Sequence, residues 1–371
     1  MEKLKIGILG ATGSAGMEFI RALNNHPWFQ VAELYAGKSA GKRLEEVVEL
    51  KKSDLPAIRN LMVKGMDEIR EDLDMICSAL PSEVAKKVEG ECARHTPVIS
   101  TASAYRYEKD VPLIITEINM AHYSLLKVQK EKRWKGWIAP GPNCTTVGLA
   151  MSLYPIHKEI GIDNASMSSY QAISGGGKEL IDEWKSQRTK EIPEPQKNPI
   201  MSEDPPLILD GNVICRIRDE EDKVRRETKK ILGEYESPKV VSADIGVDPK
   251  CFRVPVLYGH TASVFAYTKS PCTHRDIAEI YRKFNRYAYE AFGNLPSSPR
   301  NFVTLLERAP QPRIDVNLDK GMTASIGKIE PLDKRMGVSY VVLTHNLQRG
   351  AAKGIIHVAE YLHSIGFLGK K

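Results

Sequence analysis

One cysteine of this chain stands in a setting that favours nucleophilic chemistry. Cys144 lies in the run Pro-Asn-Cys-Thr-Thr at residues 142–146, after a cluster of turn-forming residues and ahead of a segment with helical character. Thiolate is the reactive form of cysteine and attacks acyl groups readily. The start of a helix lowers a thiol pKa and provides main-chain N–H donors for an oxyanion. These features predict that Cys144 is a nucleophile.

Three basic residues are candidates to assist such a nucleophile. His260 follows Gly259 after an apolar stretch, and an imidazole exchanges protons near neutral pH. Arg253 lies seven residues earlier, and its planar guanidinium suits a substrate carboxylate. Arg106 is a further candidate anion ligand, although the residues alone do not distinguish it from a surface arginine.

A glycine-rich turn near the start of the chain predicts a dinucleotide site. Gly10, Gly13 and Gly16 follow an apolar strand pattern at three-residue spacing and open a helical pattern. Glycines allow a tight turn, and the helix start attracts a pyrophosphate. The alternative is a tight turn without a ligand. The predicted cofactor residues of this turn are Gly10, Thr12, Gly13, Ser14 and Ala15.

The end of the second strand pattern favours NADP over NAD. An NAD enzyme usually carries a carboxylate there for the ribose hydroxyls. Here Glu33 lies too early, inside the strand at residues 31–35, and the next residues include Lys38 and Ser39. Small, hydroxylated and cationic groups suit a 2′-phosphate. The alternative is a solvated basic loop.

The first part of the chain alternates strand and helix patterns, which is typical of a parallel sheet with crossover helices. The predicted strands are 5–9, 31–35, 75–79, 98–100 and 113–115, and the predicted helices include 15–24 and 82–94. Turn residues then cluster at 139–142, which we interpret as a domain junction. The fold class is therefore α/β, with a Rossmann-like NADP-binding domain.

The remainder predicts a second, α+β domain for catalysis and dimerisation. A helix at 147–154 precedes strands at 165–172, 239–243, 252–256 and 262–268, which favours a mixed or largely antiparallel sheet. A charged, proline-containing stretch at 184–237 is expected to hold a loop and then a helix near 219–231. The helical pattern at 350–365 is expected to return to the first domain. The predicted domains are 1–146 with 347–371, and 147–346.

Composition indicates an ordinary globular protein. The 371 residues exceed one compact core, 42% are hydrophobic and 27% are charged, and the net charge is +6. Charges of both signs are interspersed, so neither nucleic acid nor a membrane is an expected partner. We expect a cytoplasmic protein, with no metal site, since no Cys-x-x-Cys pair occurs among the six cysteines. Four cysteines are interpreted as structural: Cys77, Cys92, Cys215 and Cys251.

Taken together, these motifs resemble aspartate-β-semialdehyde dehydrogenase, in its archaeal and fungal branch. The resemblance covers nearly the whole chain and keeps the order and spacing of the motifs. The matching segments are residues 10–13, 38–42, 142–146, 171–177, 220–223, 253–260 and 345–352. Two residues of these segments, Gly175 and Asn346, extend the predicted cofactor site, which also includes Ser78 in the predicted strand 75–79.

The resemblance implies reduction of aspartyl phosphate by NADPH to aspartate semialdehyde and phosphate, a step of amino-acid biosynthesis. Cys144 would form a thioester, with main-chain N–H groups near Asn143 and Cys144 holding the oxyanion. The implied roles of the other residues are as follows: His260 moves protons, Gln171 orients the acyl group, Arg253 binds the α-carboxylate, Glu220 binds the ammonium, and Arg106 and Lys223 bind phosphate. Three-residue spacing to Lys223 favours Glu220 over Glu221.

Three other interpretations stay open. An archaeal malonyl-CoA reductase would use the same cysteine and release coenzyme A. An N-acetylglutamyl-phosphate reductase has similar chemistry but is more distant. A catalytically inactive NADP-binding regulator belongs to a different class, and the intact set of Cys144, Gln171, Arg253 and His260 argues against it. A homodimer or homotetramer is expected.

Overall fold

The computed structural model describes residues 2–50, 55–188 and 207–369. The prolines of the predicted loop from Pro193 to Pro206 lie outside the described residues. No described helix is both long and apolar enough to cross a membrane.

The first sheet has six parallel strands, as the alternating pattern predicted. Its strands are β1 (Leu4–Leu9), β2 (Phe29–Tyr35), β3 (Val63–Lys64), β4 (Met75–Ser78), β5 (Val98–Ser100) and β6 (Ile138–Pro140). Their order is β3-β2-β1-β4-β5-β6. From β1 the chain continues through β2 and β3 toward one edge of the sheet. From β4 it continues through β5 and β6 toward the other edge, so the strand order reverses between β1 and β4. Ligands of open parallel sheets bind at such a switch point, beyond the carboxyl ends of the strands.

One strand of this sheet was predicted in the wrong place. Residues 113–115 are buried but form no strand, because the side chain of Asn119 bonds their main chain. Its Nδ2 donates to the Leu113 carbonyl at 2.8 Å, and the Ile115 N–H donates to its Oδ1 at 2.9 Å. The sixth strand is β6, inside the segment interpreted as a turn cluster. Pro140 is tolerated there because β6 is an edge strand.

The second sheet is mixed and also has six strands. They are β7 (Ile162–Gln171), β10 (Gly246–Arg253), β11 (His260–Thr268), β12 (Val303–Leu306), β13 (Ala324–Pro331) and β14 (Gly337–Thr344). The order is β10-β7-β11-β14-β13-β12, in which β10 with β7 and β12 with β13 are parallel. The predicted strand at 239–243 instead belongs to a separate hairpin, formed by β8 (Glu234–Glu236) and β9 (Lys239–Val241). The predicted strand at 252–256 ends earlier, at Arg253, since Pro255 follows.

Helices cover both sheets. They are α1 (Ser14–Leu23), α2 (Leu44–Val47), α3 (Ser82–Ala93), α4 (Thr116–Asn119), α5 (Ser124–Lys132), α6 (Cys144–Ile160), α7 (Gly177–Gln187), α8 (Glu220–Ile231), α9 (His274–Phe292), α10 (Pro312–Asp315) and α11 (Ala352–Ser364). Helices α6 and α9 pack against the second sheet, and α8 packs against α6 and β10. The helix predicted at 219–231 is confirmed as α8.

The last helix returns to the first sheet. Helix α11 packs against α1 and β5, and a buried pair between Arg349 and Glu117 joins the preceding segment to α4. This packing agrees with the expectation that the end of the chain completes the first domain. The boundaries at 146 and 347 stay a prediction.

Candidate active site

The nucleophile segment is built by the turn from β6 into α6. Asn143 is the residue before the helix, and its Oδ1 accepts hydrogen bonds from the N–H groups of Thr145 at 3.0 Å and Thr146 at 3.1 Å. An asparagine in this position satisfies N–H groups that the first helical turn leaves unpaired. Cys144 is consequently the first residue of the helix, whereas its motif predicted a position just ahead of the helix.

The structure brings Cys144 and His260 together. The Cys144 Sγ lies 3.3 Å from the His260 Nε2, although 116 residues separate the two. His260 is the first residue of β11, and its ring is buried. A thiol and an imidazole at this distance form the nucleophile pair that the sequence predicted.

The other ring nitrogen of His260 fixes where the imidazole carries its proton. The main-chain N–H of Ala172 donates to Nδ1 at 3.1 Å, so Nδ1 is an acceptor. A neutral imidazole has one donor and one acceptor nitrogen, and the hydrogen bond therefore assigns the proton to Nε2. Burial, followed by the nearby charge of Arg253, holds the pKa of His260 well below its usual value, so the ring is neutral. His260 thus presents an N–H to the sulfur.

The surroundings of Cys144 favour the protonated thiol when no ligand is present. Burial of the sulfur site raises the pKa of Cys144 to about 12, and the charge of Glu220 also raises it. Arg253 and Arg106 act in the opposite direction. The site therefore holds a thiol whose ionisation depends on the cationic groups around it.

Arg253 and Gln171 end two neighbouring parallel strands at the same level. Arg253 closes β10 and is paired in register with Gln171, the last residue of β7. Arg253 Nη1 donates to the Ala172 carbonyl at 2.8 Å, and Gln171 Nε2 donates to Ser169 Oγ at 3.2 Å. Because β11 pairs with the other edge of β7, His260 begins beside these two residues.

Gly175 lies against the side chains of Arg253 and His260. A Cβ at this position would lie 2.8 Å from Arg253 Nη1 and 3.1 Å from the His260 Nε2. A side chain at this position would push the guanidinium of Arg253 or the ring of His260 out of place, so glycine allows both to keep these positions. The sequence assigned Gly175 to the cofactor, and the structure places it against the anion-binding and histidine side chains.

Helix α8 brings the acid–lysine pair to the nucleophile. Glu220 is buried, and its Oε1 accepts from Asn143 Nδ2 at 2.9 Å and from Thr145 Oγ1 at 3.1 Å. Glu221 instead faces β10, where Lys250 lies 3.6 Å away. Lys223 is half-buried, and its ammonium has no hydrogen-bond or ion-pair partner among the described residues. The structure thus places Glu220, and not Glu221, beside the nucleophile.

Arg106 is buried, which separates it from an ordinary surface arginine. Its Nη1 donates to Glu227 at 3.1 Å and its Nη2 donates to the Thr101 carbonyl at 2.8 Å. Its Nε is buried without a partner. An unpaired buried donor of this kind is costly unless a ligand binds it.

Two residues of α8 that sequence reasoning missed hold the loop of Arg106. Glu227 is fully buried, and Lys230 donates from Nζ to three carbonyl groups of this loop. The acceptors are those of Arg106 at 2.8 Å, Glu108 at 3.0 Å and Val111 at 2.6 Å. With Glu220 and Lys223 these residues follow a spacing of three, four and three, which marks one face of a helix. That spacing was the available signal.

The predicted oxyanion donors are not all free. The Asn143 main-chain N–H donates to Glu227 Oε2 at 2.6 Å, so this part of the expectation is wrong. The Cys144 N–H lies at the first helical position, where no intrahelical acceptor exists.

The glycine turn lies at the switch point of the first sheet. Gly10 has a φ of +71°, and the Gly13 N–H donates to its carbonyl at 3.1 Å. A Cβ at Gly16 would lie 2.1 Å from that carbonyl, so the turn closes only with glycine. Gly13 caps α1 without a side-chain acceptor, which leaves the N–H groups at the start of the helix, including those of Ser14 and Ala15, directed at the crevice.

The other predicted cofactor residues lie in three places. Thr12 Oγ1 lies 3.4 Å from Ser39 Oγ, so the loop with the exposed Lys38 sits next to the glycine turn. Ser78 is fully buried at the carboxyl end of β4. Asn346 accepts from the Gly259 N–H and donates to Ser174 Oγ, each at 2.9 Å, so its amide holds the loop before His260.

Two family profiles match the chain. The profile described as "Semialdehyde dehydrogenase, NAD binding domain" matches residues 5–126, and the one described as "Semialdehyde dehydrogenase, dimerisation domain" matches residues 153–349. Cys144 lies between the two matched ranges. A parallel nucleotide-binding sheet beside a cysteine–histidine pair is the arrangement of a dehydrogenase that works on a carbonyl carbon.

Individual relatives agree with the profiles. The aspartate-semialdehyde dehydrogenase of Archaeoglobus fulgidus is 36% identical over 97% of this chain and 98% of its own length. The crystal structure of aspartate semialdehyde dehydrogenase with NADP from Candida albicans has a TM-score of 0.80 at 30% identity, covering 98% of this chain and 99% of that one. A malonyl CoA reductase (NADP) of Metallosphaera sedula is 29% identical over 99% of both. The chain belongs to the aspartate-semialdehyde dehydrogenase family.

Alkylation of the ligand-free protein tests the state of Cys144. Because burial raises its pKa to about 12, we expect the iodoacetamide rate at Cys144 to rise about tenfold per pH unit between about pH 6 and about pH 9. Cys144→Ser, followed by mass spectrometry of the modified peptide, corrects for other cysteines. A rate that levels off near pH 7 would contradict this prediction.

Gly175→Ala tests the close packing around Arg253 and His260. The added Cβ displaces one or both side chains, so we expect kcat/KM to fall about 100-fold, the scale of a misplacement near 1 Å. Gly65→Ala is the matched control, since the nearest atoms there belong to the side chains of Asp67 and Glu68, which can move aside. Equal activity of the two variants would show that the packing is not as tight as described.

Proposed function

We propose that this protein reduces L-aspartyl-4-phosphate to L-aspartate-4-semialdehyde and phosphate with NADPH, through a thioester on Cys144. The observation that carries the proposal is the convergence of Cys144, His260 and Arg253 at the ends of three elements, with the unpaired Nε of Arg106 nearby. The reaction is the aspartate-pathway step of lysine, threonine and methionine biosynthesis.

Arg253 and Glu220 are the proposed ligands of the amino-acid end of the substrate. One hydrogen bond to a carbonyl uses Arg253 Nη1, and the remaining donors suit an α-carboxylate. Both bonds to Glu220 fall on Oε1, and no hydrogen bond of the described residues uses Oε2. That oxygen is suited to the substrate ammonium, while Gln171 lies in register with Arg253 to orient the acyl group.

Arg106 and Lys223 are the proposed phosphate ligands. The Arg106 Nε is buried without a partner, and the Lys223 ammonium has none among the residues that the structure describes. A phosphate between them would accept a hydrogen bond from the Arg106 Nε and neutralise the charge of the Lys223 ammonium. Lys223 lies on α8 about one turn before Glu227, the residue that binds Arg106.

The role proposed for His260 is to hold a proton at Nε2 facing the sulfur. This N–H stabilises the Cys144 thiolate before it attacks the acyl carbon and again when the aldehyde is released. The Cys144 N–H, at the positive end of α6, stabilises the oxyanion of each tetrahedral intermediate. The proton that the Cys144 thiol loses in its attack is taken up by the departing phosphate. The thiolate left when the aldehyde is released takes a proton from solvent, so the cysteine begins and ends a turnover as thiol.

The first sheet fits NADP. The N-terminus of α1, where the N-cap residue Gly13 has no side chain to accept the free N–H groups, suits the pyrophosphate. The exposed Lys38, together with Ser39, suits the 2′-phosphate. No carboxylate is free at the end of β2, because Glu33 is paired with Lys64 at 2.8 Å and with Arg70 at 2.9 Å. Bound there, NADPH supplies the hydride. The Candida albicans enzyme was likewise solved with NADP.

Malonyl-CoA reduction is the second candidate, because one relative carries that name at 29% identity. The Archaeoglobus dehydrogenase is more similar, at 36%. A malonyl group has no ammonium, so the buried carboxylate of Glu220 would have no substrate partner. The aspartyl substrate is therefore preferred.

The outer face of the second sheet, opposite α6 and α9, is the proposed homodimer surface. We define it by Tyr170, Phe252 and Phe265 together with the small residues of neighbouring strands, Ser166, Ser168 and Ser263. Tyr170 and Phe265 are 43% and 42% exposed, and Tyr170 stacks on Phe252. Exposed aromatic residues beside small ones suit a second copy of the chain, although β10 also carries Asp248 and Lys250 on this face. It lies within the range matched by the profile described as a dimerisation domain.

All six cysteines are free thiols, in keeping with a reducing compartment such as the cytoplasm. We place the enzyme there as part of the proposal.

The activity is tested by following NADPH formation from aspartate semialdehyde, NADP and phosphate. We expect turnover that requires phosphate and that Cys144→Ser abolishes, while NADPH binding measured by fluorescence stays nearly unchanged. NADPH oxidation with malonyl-CoA and none of the phosphate-dependent activity would establish the second candidate instead. NADPH binding without turnover of either substrate would favour an inactive regulator.

The dimer surface is tested by Phe265→Glu. A charge at the centre of this face disfavours association, so we expect the mass measured by light scattering after gel filtration to fall to that of smaller assemblies. Tyr289→Glu on α9 is the matched control, since Tyr289 is 56% exposed and lies outside this face. An unchanged assembly for Phe265→Glu, with intact folding, would rule out this surface.

A further inference from the structure

A single buried carboxylate connects the nucleophile segment to the loop of Arg106. Glu227 is fully buried and accepts three hydrogen bonds. Its Oε2 accepts from the Asn143 N–H at 2.6 Å, and its Oε1 accepts from Arg106 Nη1 at 3.1 Å and from Tyr107 Oη at 3.3 Å. A buried carboxylate is stable only with such donors, so its partners are held to it in turn.

The partners come from separate parts of the chain. Asn143 precedes the nucleophile at the end of β6, whereas Arg106 lies in the loop after β5. One helical turn further along α8, Lys230 donates to the Arg106 carbonyl at 2.8 Å. Helix α8 therefore binds Arg106 twice, since Glu227 binds its side chain and Lys230 binds its carbonyl group. Glu227 also binds the main-chain N–H of Asn143, the residue before Cys144.

Glu227 also decides which part of the guanidinium is left for a ligand. The group is planar, so bonds from Nη1 to Glu227 and from Nη2 to the Thr101 carbonyl fix its orientation. The Nε donor remains buried and unpaired. Without Glu227, Arg106 would be a buried cation with one carbonyl partner and no fixed plane.

We infer that Glu227 is a positioning residue that sets Arg106 at a fixed place relative to Cys144, so that phosphate meets the thioester in line. The inference rests on the proposed function and adds to it a residue that contacts neither substrate nor cofactor. The inference predicts that a change at Glu227 affects the attack of phosphate on the thioester but not the acylation of Cys144. Asn143 is also held through its side chain by Glu220, so the nucleophile keeps its place when Glu227 is changed.

The test is Glu227→Gln, which keeps the shape of the side chain and removes its charge. Mixing aspartate semialdehyde and NADP without phosphate gives a burst of NADPH that reports acylation of Cys144. We expect the burst rate to stay within about threefold of wild type. We expect kcat/KM for phosphate to fall about 10- to 100-fold, the scale of one lost charged hydrogen bond. A structural defect would lower both alike.

Asp222→Asn is the matched control, since Asp222 lies on the exposed side of α8 and pairs only with Arg226 among the described residues. Should Glu227→Gln not fold, Tyr107→Phe removes one bond to the same carboxylate, and we expect kcat/KM for phosphate to fall about 2- to 10-fold with an unchanged burst. Phosphate kinetics equal to wild type in the folded variant, or equal losses in both half-reactions, would overturn the inference. A wild-type protein without burst or phosphate-dependent turnover would overturn the proposed function itself.

Discussion

The hydrogen bonds around Asn143 are the constraint on which the rest of the site depends. Its Oδ1 caps α6, its Nδ2 binds Glu220, and its main-chain N–H binds Glu227. One residue thus fixes the start of the nucleophile helix and ties it to α8 at two points. Each of these groups is buried, and a lost partner would leave a buried carboxylate uncompensated. The position of Cys144 is consequently set by polar contacts, while the apolar core of the sheets only brings the elements together.

Burial of the nucleophile has two opposing effects. It excludes water from a thioester that would otherwise hydrolyse, and it raises the pKa of Cys144 to about 12, which disfavours the reactive thiolate. Two arginines and the Nε2–H of His260 act against this effect. His260 stays neutral because burial, and then the nearby charge of Arg253, hold its pKa well below the usual value, while its Nδ1 accepts from the Ala172 N–H. The balance leaves the thiol sensitive to what binds beside it.

Most of the fold, and the roles of Cys144 and His260, were predicted from signals in which the informative residues lie close together in the sequence. The glycine turn, the motif of Cys144 and the residues before His260 each combine chemistry with a local structural pattern, so one sequence sufficed for them. Residues 113–115 misled because a buried extended segment has the pattern of a strand even when its hydrogen bonds are made by a side chain, here that of Asn119.

Contacts between distant segments were not predictable in the same way. Glu227 lies in a charged stretch typical of a solvated helix, and only the fold places it against Asn143 and Arg106, 84 and 121 residues away. Its spacing from Glu220 and Lys223 indicated a shared helix face, but not what that face meets. The neighbours of Gly175 were likewise not predictable, since Arg253 and His260 belong to other strands; its assignment to the cofactor stays a prediction.

Because α11 comes late in the sequence and packs against the first sheet, the first domain is completed late in synthesis. Helix α11 packs on α1, the helix behind the glycine turn, and a Cβ at Gly350 would lie 2.9 Å from the Cys144 Cβ. A nascent chain that still holds this segment inside the ribosome therefore has the cysteine and histidine outside, but lacks Gly350 beside Cys144. The nucleotide-binding layer is also incomplete at that moment. The surroundings of Cys144 are therefore complete only once the segment that holds Gly350, just ahead of α11, has emerged.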